Sequence, residues 1–127
     1  MGPHFIPFLE LDQDTARNMI TVNCVSATMM THHILPTMIT NNRGAIINIV
    51  SSTSFYVMPY FSEYSATKHY MAAFTAGLRS ELGRCNVVIQ EIDPGKYNII
   101  KDYQSCHTLQ LLLFNCLFTR EDCLIAT

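Results

Sequence analysis

Short apolar runs and long mixed segments alternate along this chain. From Ala45 to Val50 every residue is apolar except Asn48, with Asn41-Asn42-Arg43-Gly44 in front and Ser51-Ser52 behind. A continuous apolar run of this length, entered from a turn, predicts a strand covered on both faces. Val87 to Ile92 predicts another strand, stopped by Asp93-Pro94-Gly95. The segments ahead of the two strands have helix length. A first helix is expected from about Asp12 to Met38, with Asp12 or Asp14 capping its first amides. Pro36 lies near its carboxyl end and is expected to kink or terminate it. A second helix is expected from about Glu63 to Arg84. Ala66, Ala72, Ala73, Ala76 and Gly77 thin part of it and allow close approach by the sheet or another helix. Met1 to about Leu11 reads as a loop.

Strand, helix, strand with a helix-length spacer implies a right-handed βαβ unit in a parallel sheet. Ligands of such sheets bind beyond the carboxyl ends of the strands, where Ser51 and Pro94-Gly95 fall. The length, 127 residues, suits one domain with one core. Apolar residues make up 49% and charged residues 14%, rich for a small domain and expected where surfaces face partners. A net charge of -2 gives no electrostatic case for nucleic acid or an anionic membrane. Cys24, Cys85, Cys106, Cys116 and Cys123 are an odd, dispersed set without C-x-x-C, which favours reduced thiols. Cys and His fall at no ligand spacing, so no metal is expected. Pro3 and Pro7, with no basic start, do not form a signal peptide. Leu109 to Phe118 is interrupted by Gln110 and Asn115 and is too short to span a bilayer.

The chemistry concentrates in Tyr64-Ser65-Ala66-Thr67-Lys68. On a helix, a phenol and an ammonium at i and i+4 project from one face about one turn apart. The ammonium favours the phenolate, so a proton can be given or taken there. Such a pair alone also occurs on many solvated helix faces, and the strand context is what raises its interest. Ser51, at the end of the first strand, can orient the same substrate oxygen or simply cap the strand end. Asn23, among small and apolar residues of the first helix, reads as a buried amide bonded to a neighbouring backbone group. Ser52 reads as structural, and His32 and His33 as packing or exposed groups. Met29, Met30 and Met38 read as core or interface filler.

With these residues in view, the chain resembles the short-chain dehydrogenases/reductases. The matching features are Asn48-Ile49-Val50-Ser51-Ser52, Tyr64-Ser65-Ala66-Thr67-Lys68, Pro94-Gly95 and the stretch Thr21-Val22-Asn23-Cys24-Val25. The run from Val22 through His33-Ile34-Leu35-Pro36 to Lys68 is most similar to the 17β-hydroxysteroid dehydrogenase and very-long-chain 3-oxoacyl-CoA reductase branch. The resemblance implies an α/β fold: the carboxyl-terminal half of a Rossmann-like, doubly wound parallel sheet, with long helices flanking two or three strands. It implies an NAD- or NADP-dependent oxidoreductase that interconverts a carbonyl and a secondary alcohol on a hydrophobic steroid or fatty acyl substrate. Tyr64 is then the general acid or base, Lys68 its electrostatic partner and a ligand of the nicotinamide ribose, and Ser51 the group that orients substrate. Asn23 holds a relay water, and Pro94-Gly95 walls the nicotinamide. A homodimer through the two long helices and, by family analogy, an endoplasmic reticulum setting are also implied. Two departures accompany the match. The glycine-rich T-G-x-x-x-G-x-G turn that cradles the cofactor phosphates has no counterpart here. After Gly95 the sequence no longer aligns. Residues 1–95 are therefore expected to form part of the catalytic region, and 96–127 a divergent, poorly packed tail. The alternative is an inactive family member acting as an interaction module, or a partial gene product.

Overall fold

The computed structural model describes residues 5–94 and, for the backbone alone, 123–126. A 3-10 turn, Phe8–Glu10, leads into helix α1, Gln13–Ile20. Asp12 caps α1 by accepting from the amides of Asp14 and Thr15 at 3.1 and 3.0 Å. The helix does not end there. It widens into a π turn, Thr21–Ser26, and continues as α2, Ala27–Thr40. The single helix expected from Asp12 to Met38 is thus interrupted in pitch though not in continuity. Pro36 does not terminate it: α2 passes through Pro36, whose carbonyl accepts from the Thr40 hydroxyl at 2.9 Å.

Strand β1, Gly44–Ile49, follows a turn in which Asn42 adopts a positive φ of 48°. Asparagine tolerates that conformation better than most residues. The backbone here also clamps the sheet: Asn42 Oδ1 accepts from the Asn86 amide, and Asn86 Nδ2 donates to the Asn42 carbonyl. This fixes where β1 and β2 start together. Helix α3 spans Ser62–Glu81 and returns the chain to β2, Val87–Ile92. β2 runs parallel to β1, with Gly44 opposite Val87 and Ile49 opposite Ile92. The expected strand–helix–strand unit is present.

A third strand, β3, Cys123–Ala126, pairs parallel on the other side of β1, giving the order β2-β1-β3. Residues 123–126 fall within the stretch expected to be a divergent tail, and their backbone joins the edge of unpaired groups that β1 offers to a parallel partner. The rest of 96–127 lies outside the described residues.

α2 and α3 pack on the same face of β1. Met38, Ile46, Val87 and Ile89 form one buried cluster, joined at its margin by Ile34, Leu78 and Leu82. Ala27, Val50 and Met71 form a second, toward the carboxyl end of the strands. Between the clusters lies a fully buried polar pair. Asn48 Nδ2 donates to Thr75 Oγ1 at 2.8 Å, and Thr75 donates to the Met71 carbonyl. In a dry layer a bond of this kind has few alternatives, so it sets how α3 lies along β1.

Candidate active site

The buried positions of α3 are mostly polar: Ser65, Thr67, Lys68 and Thr75 beside Met71. Lys68, Met71 and Thr75 lie on the buried face, and Tyr64 precedes Lys68 by one turn. Lys68 is only 6% exposed. Its ammonium donates to the Ile49 carbonyl at 2.9 Å, at the carboxyl end of β1, and stands 5.7 Å from the centroid of the Tyr64 ring. The strand therefore fixes the Lys68 ammonium beside the Tyr64 ring, which helix spacing places one turn away. Burial pushes the Lys68 ammonium below the ordinary lysine range, and the nearby Cys24 opposes that shift. Burial pushes the Cys24 thiol up, opposed in turn by Lys68.

Asn23 lies inside the π turn and is 1% exposed. π turns inside α-helices recur at functional sites because they redirect side chains from the regular spiral. Here the Asn23 amide Nδ2 donates to Thr67 Oγ1 at 3.1 Å, and Thr67 donates to the Tyr64 carbonyl at 2.8 Å. Asn23, Tyr64 and Lys68 are thus assembled in one region. Asn23 is buried, as expected, and one of its contacts is with the Thr67 side chain.

Ser51 stands just beyond β1. Its hydroxyl accepts from the Thr53 amide at 3.3 Å, while its own amide donates to Ser54 Oγ at 3.2 Å, so it caps the 3-10 turn Ser52–Ser54. That turn packs against α3. The capping role and an orienting role are compatible, since a hydroxyl that accepts one bond still has a proton to donate. Tyr64 is half-buried, with the Phe61 ring edge-on at 6.3 Å. It lines a cleft shared with Ile6, Phe8, Leu11, Met19 and Tyr60. Pro94 is exposed in the turn after β2, and Gly95 lies outside the described residues. His32, His33, Met29 and Met30 are exposed, whereas Met38 is in the core. Thr67 was missed in the sequence. The available signal was its place one turn after Tyr64, where a helical threonine reaches back to a carbonyl.

The region suits the ribose end of a nicotinamide cofactor: a buried ammonium beside a phenol offers donors to hydroxyl groups. It does not suit the phosphates. Among the described residues no strand is followed by a glycine-rich turn, and no group of His, Cys, Asp or Glu is placed to hold a metal ion. Nor is any helix among them long and apolar enough to cross a membrane.

Comparison with known proteins shows the family and the fold. Residues 2–100 match the family described as short chain dehydrogenase. The very-long-chain 3-oxoacyl-CoA reductase of Bos taurus is 36% identical over 91 residues, covering 72% of this chain and 29% of that protein. Hydroxysteroid dehydrogenase-like protein 1 of Gallus gallus is 34% identical over 87 residues, covering 68% and 26%. Among solved structures, a short-chain dehydrogenase from Sphingobium yanoikuyae in complex with NADPH superposes with a TM-score of 0.67 at 26% identity, covering 70% of this chain and 35% of that one. The fold is α/β, of Rossmann type. The chain belongs to the short-chain dehydrogenase family, and spans under a third of the length of these two curated relatives.

Proposed function

We propose that this chain carries the proton-transfer portion of an NAD(P)(H)-dependent oxidoreductase that interconverts a carbonyl and a secondary alcohol on a hydrophobic substrate. The single observation that carries the reading is the Lys68 ammonium, fixed on the Ile49 carbonyl beside the Tyr64 ring. A bound nicotinamide supplies or accepts the hydride. Tyr64 gives a proton to the substrate oxygen in reduction and takes it back in oxidation. Lys68 stabilises negative charge on the phenol oxygen and offers donors to the ribose. Ser51 donates its remaining proton to the substrate oxygen and so orients it. Asn23 holds a water that connects Lys68 to solvent, and Pro94-Gly95 bounds the nicotinamide. The 3-oxoacyl and hydroxysteroid names of the two relatives favour a fatty acyl or steroid substrate, and the apolar lining of the cleft beside Tyr64 accords with either.

The test is turnover in this chain joined to an upstream half bearing a glycine-rich phosphate cradle. With NADH or NADPH and a hydrophobic ketone, Tyr64→Phe should lower kcat by about 10²–10⁴-fold. Activity within twofold of the parent would refute the assignment.

The reading includes a homodimer. Val22, Val25, Met29 and Met30 on the first helical element and Tyr70 on α3 are large apolar groups open to solvent. An apolar surface of this kind on long helices fits a second copy of the same helices. Sedimentation equilibrium should give twice the chain mass, and Val25→Glu with Met29→Glu should return it to a monomer.

A further inference from the structure

The π turn and α3 meet at one side chain. Thr67 is 3% exposed and precedes Lys68 on α3. Its hydroxyl takes the Asn23 amide proton at 3.1 Å and gives its own to the Tyr64 carbonyl at 2.8 Å. The Thr67 carbonyl, in turn, accepts a weak bond from the Cys24 thiol at 3.9 Å. A hydroxyl has one proton, so this pair of bonds has one consistent polarity: it accepts from the amide and donates to the carbonyl. The amide NH2 of Asn23 must then face Thr67, and its carbonyl oxygen is turned away.

We propose that Thr67 is a positioning residue: its hydroxyl locks the π turn to α3 and sets the orientation of Asn23 relative to Tyr64 and Lys68. The inference rests on the roles given above to those three residues. Valine keeps the shape of threonine but can make neither bond. With Thr67→Val, Asn23 Nδ2 loses the Thr67 oxygen as an acceptor in a buried layer. The π turn then relieves the mismatch by moving off α3 and admitting water. Serine keeps both bonds and loses only a methyl group.

The experiment is NMR on the 127-residue chain with Thr67→Val and Thr67→Ser. In Thr67→Val the Asn23 side-chain amide protons should exchange at least about tenfold faster, as protection is lost. The titration midpoint of Lys68, depressed by burial, should move up toward the ordinary lysine value. Thr67→Ser should restore both. If Thr67→Val changes neither, or if Thr67→Ser changes both as far as Thr67→Val, the proposal is overturned. Should Thr67→Val not fold, the serine variant decides alone: retained Asn23 protection supports the hydroxyl, and lost protection refutes it. Tyr64→Phe turnover tests the function separately, so either result can fail without the other.

Discussion

Lys68 carries a charge into a place with little water, and stability must therefore depend on pH. Burial holds its folded pKa below the ordinary lysine value that the unfolded chain keeps. Between those two values the unfolded chain binds more protons than the folded one, so stability rises with pH across that window. Below the folded value the cost of the buried charge is constant. Urea unfolding at several alkaline pH values should show this rise in the parent, and Lys68→Met should remove that part of the slope. An identical slope in both proteins would place the effect elsewhere. At the same scale Tyr64 and Lys68 were legible in the sequence because helix spacing alone puts them on one face. The neighbours that fix them were not. Ile49 holds Lys68 through a backbone carbonyl, which any residue supplies, and Asn23 reaches Thr67 across 44 positions of sequence.

Buried polar contacts between elements are expensive to break. Asn48 and Thr75 are both wholly buried and bonded to each other across the β1–α3 interface. Thr75→Val leaves the Asn48 amide without that partner and should cost about 1–3 kcal/mol in chemical denaturation. Asn48→Leu combined with Thr75→Val replaces both groups by apolar ones. The double variant should cost less than the two single losses together, with a coupling of about 1 kcal/mol. Strict additivity would mean the pair does not set the helix on the strand. Gly44 is a second such point. A Cβ there would lie 2.8 Å from Met38 Cβ, too close for side-chain rotation to relieve. Gly44→Ala should therefore destabilise by about 1–3 kcal/mol, and a melting temperature equal to the parent's would contradict the close approach. The strands and helices were legible because turn residues bracket apolar runs. The π turn was not. Thr21–Ser26 has no composition that distinguishes it from ordinary helix, and what sets it apart is its contact with α3, remote in sequence. β3 was equally hidden, because a four-residue strand far along the chain is defined by the β1 edge it joins.

At the scale of the whole molecule, two kinds of binding separate. On the proposed reading, the groups that would handle a proton lie within this chain and would reach only one end of a dinucleotide. Most of the attraction for a pyrophosphate comes from backbone amides of a glycine-rich turn and the dipole of the helix that follows. Among the described residues, β1 leads into a 3-10 turn of hydroxyl residues and β2 into Asp93-Pro94, and neither offers that cradle. Lys68 cannot replace it, since its ammonium is already engaged with Ile49 and sits beside Tyr64. Catalysis also requires the hydride donor and the carbonyl to be held in reactive geometry, which placement of a proton donor alone does not achieve. The 127-residue chain should therefore bind NADH and NADPH weakly or not at all, with no saturation at micromolar concentrations in a fluorescence titration. Joining it to an upstream βαβ half with the glycine-rich turn should restore saturable binding, and Tyr64→Phe in that fusion should leave binding nearly intact while turnover falls. Micromolar affinity in the chain alone would show that the contacts around Tyr64 and Lys68 suffice, and would sink the division of labour argued here.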